Sequence, residues 1–433
     1  MGRNGTGSGL RLRTSPATVP VRGRDHRWIG PNDRSRLLRT QVTTRPRRGL
    51  SLRESATLRP GTYSFAVGED EPVVTVRADN AVIDCTGVTL SGTESSSEAR
   101  RGVGIRVINS RKVRVVGLET VGFQVGVHVL HSEDVVVEDV SATRTRLKPT
   151  NADDPDDPGN WIDLFDKAGW RLYGTGIWYE RCRGGVVRRC TASGAQNGIT
   201  LDKTDEATVL SCDCSQNAGW GVHLDRARRC QVVNNLCADC ARPGEEVQAA
   251  GIALNNGCHG NEVVSNEMPR CTHGIILTAR YNEQSNGNLI ASNDVSESTH
   301  SAIQCMYCDD TRVLANHVRQ ARHGLYLGHL RGAVVEGNHI YRCGGAGILI
   351  DHGAQVVARE NSVEGCAVGI AQRGQTGHSR PPTDCRIEDN VLQSNSTGIR
   401  LEAGRRTHVS GNYDAGNHAL LHVSEDCVGT EAT

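Results

Sequence analysis

Gly221-Val-His-Leu-Asp225 decides the fold, because its pattern returns along most of the chain. A Gly-Ile/Val couplet opens a short alternating run, and the couplet recurs at Gly104-Ile105, Gly126-Val127, Gly176-Ile177, Gly198-Ile199, Gly251-Ile252, Gly274-Ile275, Gly324-Leu325, Gly347-Ile348, Gly369-Ile370 and Gly398-Ile399. Ala302-Ile303 and Ala419-Leu420 are weaker copies. The basic interval is about 22 residues, a period that marks a solenoid. Alternation over four to six residues is a strand signal, and the Gly and Asn between runs supply bends. A second apolar group, such as Val135-Val136-Val137 or Val334-Val335, follows each polar turn. Units this short cannot bury their own apolar face, so neighbours must stack around a shared core of Val, Ile and Leu. The expectation is an all-β parallel β-helix of about thirteen rungs.

One polar column sets the register. Thirteen residues beyond the couplet Ile, Val or Leu stand Asn235, Asn316, Asn338, Asn361 and Asn412, and Asn266, Asn293 and Asn390 sit near the equivalent turn of longer rungs. Stacked amides on successive parallel strands can bond along the axis. On these residues the chain resembles the right-handed parallel β-helix proteins, the pectate-lyase-like superfamily, over roughly residues 60 to 425. Tyr173-Gly-Thr-Gly-Ile-Trp178, Gln196-Asn-Gly-Ile199, Ser215-Gln-Asn-Ala-Gly-Trp-Gly-Val-His-Leu224 and Ala250-Gly-Ile-Ala-Leu254 resemble uncharacterised bacterial β-helix-repeat proteins. The resemblance implies the fold and leaves the reaction open, since this fold hosts many chemistries. The Asn-Thr-Asp, Gly-His-Gly and Arg-Ile-Lys set of polygalacturonases is missing.

The chain reads as a basic segment, residues 1–49, followed by one β-helix domain, 50–433, with insertions near 147–171, 241–250 and 374–384. The first segment holds twelve Arg, no Lys, and only Asp25 and Asp33 against them. A disordered tail, an arm for an anionic polymer and a targeting segment all remain open for it. No apolar stretch of a secretory signal follows its basic residues. Asn32 to Val42 fits a capping helix over the open end of the coil. Overall net charge is zero, so the whole chain offers no electrostatic argument for nucleic acid or membrane outside that arm. No apolar stretch approaches a transmembrane length.

The sixteen cysteines fall into columns: Cys190 with Cys212, then Cys214, Cys237 and Cys385, then Cys240, Cys343 and Cys366. Rungs about 4.7–4.9 Å apart exceed the preferred Cβ separation of a disulfide, so buried free thiols are expected, which favours a reducing, cytoplasmic setting. Cys237-x-x-Cys240 and Cys305-x-x-Cys308 begin from rungs roughly 14 Å apart, too far to share one zinc. No metal site is assigned.

With the couplet Ile or Val inward, the next residue points out, then in, then out. The second outward column then reads Glu180, Asp202, Asp225, Asn255 and Thr278, and the first adds His128, Trp178, Thr200 and His223. Stacked carboxylates repel by about 3 kcal/mol at an effective dielectric of 20 and about 1 kcal/mol in water, a cost that stability alone does not require. Lys203 and Arg226 follow the acids directly and serve either as a candidate base or as neutralising neighbours. Trp161, in the insertion, joins His128, Trp178 and Asn255 as a substrate-binding candidate. Adjacent carboxylates suit a retaining glycosidase, and a lyase would use them as Ca2+ ligands bridging a uronate. The expected function is a carbohydrate-active enzyme on a polysaccharide or oligosaccharide, hydrolase or lyase. The alternative is a non-catalytic β-helix that binds a ligand or metal. Tyr326, His329, Asp351 and His352 form a weaker second cluster.

Overall fold

Each couplet glycine is required by the close approach of the next coil. A Cβ on Gly198 would lie 2.4 Å from the Gly221 carbonyl oxygen, and one on Gly221 would lie 2.6 Å from that of Gly251. The β-branched or Leu residue after it faces inward: Val127, Ile177, Ile199, Val222, Ile252 and Ile275 are fully buried in one continuous core. In the computed structural model, which describes residues 42–433 except 152, 155–156, 158–168, 244–247, 280–282 and 375–380, these coils stack as parallel strands. The couplet strands, Val125–Leu130, Thr175–Glu180, Asn197–Asp202, Trp220–Asp225 and Ala250–Asn255 among them, form a 15-stranded sheet. An 18-stranded sheet carries the second apolar run of each rung, and a 6-stranded sheet, opening at Asp294–Ser296, is added in the later coils.

The couplet sheet has two strands more than the couplets predict. Leu50–Leu52 and Pro72–Val76 precede the first Gly couplet; the first pairs in register with the second, and the second with Val103–Ile108, because strand alternation alone buries their Val and Leu without the glycine. Pairing also starts before residue 50: Val42–Thr44 lies parallel to Ala56–Leu58, and the unit runs Val42–Thr433. Val42 therefore belongs to a strand, and the rest of the segment assigned to a capping helix lies outside the described residues.

Asparagine side chains bridge the turns. Asn235 donates from Nδ2 to Asn266 Oδ1 at 2.9 Å, Asn266 to Asn293 at 3.0 Å, Asn293 to Asn316 at 2.9 Å, and the series continues through Asn338, Asn361 and Asn390 to Asn412. Each Oδ1 also accepts the backbone N–H of the preceding Asn, as Asn338 does from Asn316 at 2.9 Å. At the other end, Cys212 N–H donates to Asn235 Oδ1 at 2.9 Å, so the thiol column runs into the amide column. The cysteines are free and buried, except Cys427 at the C-terminal end, which is partly exposed. Burial pushes the Cys182 and Cys230 thiols up to about 12, which leaves them protonated packing groups.

Candidate active site

Parallel pairing places the outward residues in files. Glu180 stands opposite Asp202, Asp202 opposite Asp225, and Asp225 opposite Asn255. His128 pairs with Trp178, Trp178 with Thr200, and Thr200 with His223. Adjacent parallel strands lie about 4.7–4.9 Å apart, so the carboxylates are near neighbours. Trp220 joins this outer face from the position before its couplet glycine, its ring 4.1 Å from that of His223.

Unlike an open strand face, this one is covered. Asp202, His223 and Asn255 are 0% exposed, because residues from two insertions cross it. Gln196 Oε1 accepts from Lys148 N at 3.0 Å and from Arg242 Nη1 at 3.2 Å, and Arg242 also reaches the Pro149 carbonyl at 3.0 Å. Gln248 O accepts the Trp220 indole N–H at 2.8 Å. Arg171, on the 3-10 turn Gly169–Leu172, lies over the acids and pairs with Glu180 at 3.3 Å and with Asp202 Oδ2. Its side chain remains 27% exposed.

These surroundings split the acids. Burial pushes Asp202 up to about 6, against the pull of Arg171, and it raises Asp225 although Arg226 (2.8 Å) and Asn256 (3.1 Å) bond to it. Glu180 instead ends below the usual carboxylate value: burial opposes ionisation, but His128 at 3.2 Å and Arg171 outweigh it. His128 is itself held low by burial. Its Nδ1 accepts from Arg106 Nε at 3.3 Å, leaving Nε2–H to donate to Glu180. His223 is driven down to about 3 by burial alone and bonds to Asn255 Nδ2 at 3.0 Å. It is neutral at physiological pH.

The face also holds polar atoms with no hydrogen-bond partner among the described residues: Asp202 Oδ1, Thr200 Oγ1, Asn255 Oδ1 and both amide atoms of Asn197. Native interiors seldom leave such groups unmatched, and those that stay so need an explanation such as a bound molecule or a catalytic role. Among the described residues no group of three or more His, Cys, Asp or Glu could hold a metal ion. Arg171 lies between Glu180 and Asp202.

Glu180, Asp202, Asp225, His223, His128, Trp178 and Asn255 thus come together in one buried patch. Arg226 is bound to Asp225 and, at 2.7 Å, to Glu283. Burial opposes its charge, but these two carboxylates outweigh it and raise its already high pKa, so it stands here as a paired cation. Lys203 is exposed at the turn after Asp202. Trp161 lies outside the described residues. Sequence reasoning missed Arg171, Asn197, Gln196 and Asn256. Asn197 and Trp220 could have been found as the residues before each couplet glycine, whereas nothing near Arg171 signals its acid partners.

In the second cluster Asp351 accepts from Tyr326 Oη at 2.6 Å and from Arg373 at 2.9 Å, and His329 stacks on His352 with ring centroids 4.7 Å apart. Asp351 is held below its usual value by Arg373 and Tyr326, against the effect of burial, so it reads as a satisfied anion.

A model for the right-handed β-helix region matches residues 168–283, and one described as periplasmic copper-binding protein (NosD) matches residues 243–425. No curated protein matches in sequence. Among solved structures, a PL6 alginate lyase in complex with a trisaccharide is 12% identical, with 89% of this chain and 88% of that chain covered and a TM-score of 0.51. A tailspike protein of the E. coli bacteriophage HK620, in complex with a hexasaccharide, is 10% identical over 87% and 73%, with a TM-score of 0.53. The A-module of an Azotobacter vinelandii mannuronan C-5 epimerase is 12% identical over 88% and 91%, at 0.49. At such identities the likeness is one of fold. The chain is a right-handed parallel β-helix repeat protein.

Proposed function

We propose that this protein is a carbohydrate-active enzyme that cleaves a polysaccharide, with Asp202 as the proton-bearing carboxyl and Glu180 as the ionised one. The observation that carries the reading is their divergence: two facing carboxyls, one raised to about 6 and one held low. Environments that push paired acids apart assign the acid and the anion. The spacing of adjacent strands, about 4.7–4.9 Å, lies near the carboxyl separation of about 5–5.5 Å that suits hydrolysis with retention. Asp202 would protonate the glycosidic oxygen as the C1–O bond breaks, and Glu180 would bond to C1. Water then attacks C1, gives its proton to Asp202 and releases Glu180. His128 positions Glu180, and Trp178 offers a ring face for a sugar. Arg171 must leave the pair before a sugar can reach it.

The test is the pH dependence of polysaccharide cleavage together with intact mass after trapping with an activated fluoroglycoside. The kcat/KM should fall above about pH 6 as Asp202 of the free enzyme loses its proton, and the adduct should map to Glu180. Products bearing unsaturated uronate would replace hydrolysis with elimination. Activity that rises through pH 6 would remove Asp202 as the acid.

A second reading, a non-catalytic β-helix that holds a ligand or metal, has one supporting observation: Arg171 and Arg226 already neutralise the acids. The copper-binding description of the model matching residues 243–425 is in line with it. It predicts tight binding of a ligand with no turnover.

A further inference from the structure

The outer face of the 18-stranded sheet carries apolar residues where polar ones are expected. In its three-residue strands the middle residue points inward, as the buried Val209, Val232, Val263, Ile290 and Val313 do, and the two flanking residues point out. Outward positions of a strand that meets water are ordinarily polar. Here the file of third residues instead runs Leu210, Val233, Val264, Ala291 and Leu314 on five consecutive rungs, in register throughout. Leu210, Val233 and Leu314 are part-exposed, and Val264 and Ala291, which lie between them in the file, are buried.

Charges close this stretch at both ends, in opposite order. Toward the N-terminal coils the file continues with Arg188 and then Glu138, and toward the C-terminal coils with Glu336 and then Arg359. Within the chain Arg188 holds Glu138 at 2.7 Å and Arg359 holds Glu336 at 2.8 Å. Glu138 is fully buried, yet the side chains of Arg188, Glu336 and Arg359 stay 30%, 35% and 45% exposed. A two-fold axis along the strand of Val264 would invert the rung order and keep each residue's place along its strand. It sets Val264 on its own copy, Val233 on Ala291, Leu210 on Leu314 and Arg188 on Glu336, and it brings Arg359 over the rung of Glu138. In the file of first residues it sets Val186 on Val334 and Val136 on Val357. Glu262 meets its own copy at the axis, the one like-charge contact in this strip, with Gln231 Nε2 already on its carboxylate at 2.9 Å.

We propose that the protein pairs with a second copy of itself through this face, the two coils lying antiparallel about a two-fold axis at Val264. A surface that meets its own copy across a two-fold axis must be self-complementary, and this file is so in both apolar and charged positions. Its strands, from Val136–Glu138 to Val357–Arg359, make a strip about 40 Å long at the usual strand spacing. Pairing two such strips buries on the order of 1,000 Å² in all, the lower limit of a specific interface, so the dimer depends on concentration.

Sedimentation velocity of the full chain between about 1 and about 100 μM should show monomer passing to dimer, as an interface of this size implies. Leu314→Lys should weaken the dimer by more than about tenfold while the circular dichroism is unchanged. Glu262→Gln should tighten it, because only at the axis does a side chain meet its own copy. In a Cys427→Ser background, Glu262→Cys should be joined to its copy by a short bismaleimide. Thr208→Cys should not, since its copies would lie about 19 Å apart along the axis. The cross-linking result stands even if Leu314→Lys fails to fold. Monomer at every concentration, a dimer indifferent to a folded Leu314→Lys or weakened by Glu262→Gln, or cross-linking of Thr208→Cys as fast as of Glu262→Cys, the mark of parallel coils, would each overturn the proposal.

Discussion

Replacing Asp202 with Asn should make the protein more stable while abolishing its proposed activity. Asp202 is fully buried, and its pKa moves from 3.8 to about 6. A carboxyl whose folded value is raised favours the protonated fold: its contribution is complete below the unfolded pKa and is lost as pH rises through the folded one. The loss on ionisation comes to about 3 kcal/mol at about 1.36 kcal/mol per pH unit, with the attraction of Arg171 already included. Asn mimics the protonated acid and still accepts a hydrogen bond from Arg171. Integrated over pH, the advantage of Asp202→Asn should be about 1 kcal/mol at pH 4.5 and about 3 kcal/mol at pH 7.5. Guanidinium titrations of both proteins at several pH values, followed by tryptophan fluorescence, measure the difference. An advantage that stays constant with pH, or an Asn variant less stable at pH 7.5, would refute the reasoning and make Asp202 a structural ion-pair partner.

Removing the guanidinium in Arg171→Ala should move the alkaline limb of kcat/KM upward, because Arg171 is the main influence lowering the Asp202 pKa in the free enzyme; an unmoved limb would show that Asp202 does not set it. Asn316→Ala deprives the Asn293 N–H and Nδ2 and the Ile290 carbonyl of buried partners. It should cost about 3 kcal/mol by chemical denaturation, and a loss under about 1 kcal/mol would contradict the role given to the amide column. Thiol titration of the native protein should modify Cys427 alone, with the remaining cysteines reacting only after unfolding; fast native labelling of several thiols would be inconsistent with their burial.

The register of the acid file was legible because the Gly couplet ties strand alternation to an interior, and counting three residues past Ile199 or Val222 reaches Asp202 or Asp225 on the outward side. The two opening strands were harder to assign to rungs, since Leu50–Leu52 and Pro72–Val76 carry no glycine. Burial of the outward face could not be read from the repeat. It depends on Arg171, Gln196 and Arg242, whose contacts cross from insertions and turns and obey no period. For the same reason Arg226 stood as a possible base until its pairing with Glu283 came into view.

The central claim is tested most directly by incubating the purified protein with a panel of acidic and neutral polysaccharides, with and without Ca2+, beside Asp202→Asn. New reducing ends and the absorbance of unsaturated uronates are followed together. The account predicts new reducing ends from a polysaccharide, absent with Asp202→Asn. Undiminished cleavage by Asp202→Asn, or no cleavage of any polymer by the wild type, would contradict it.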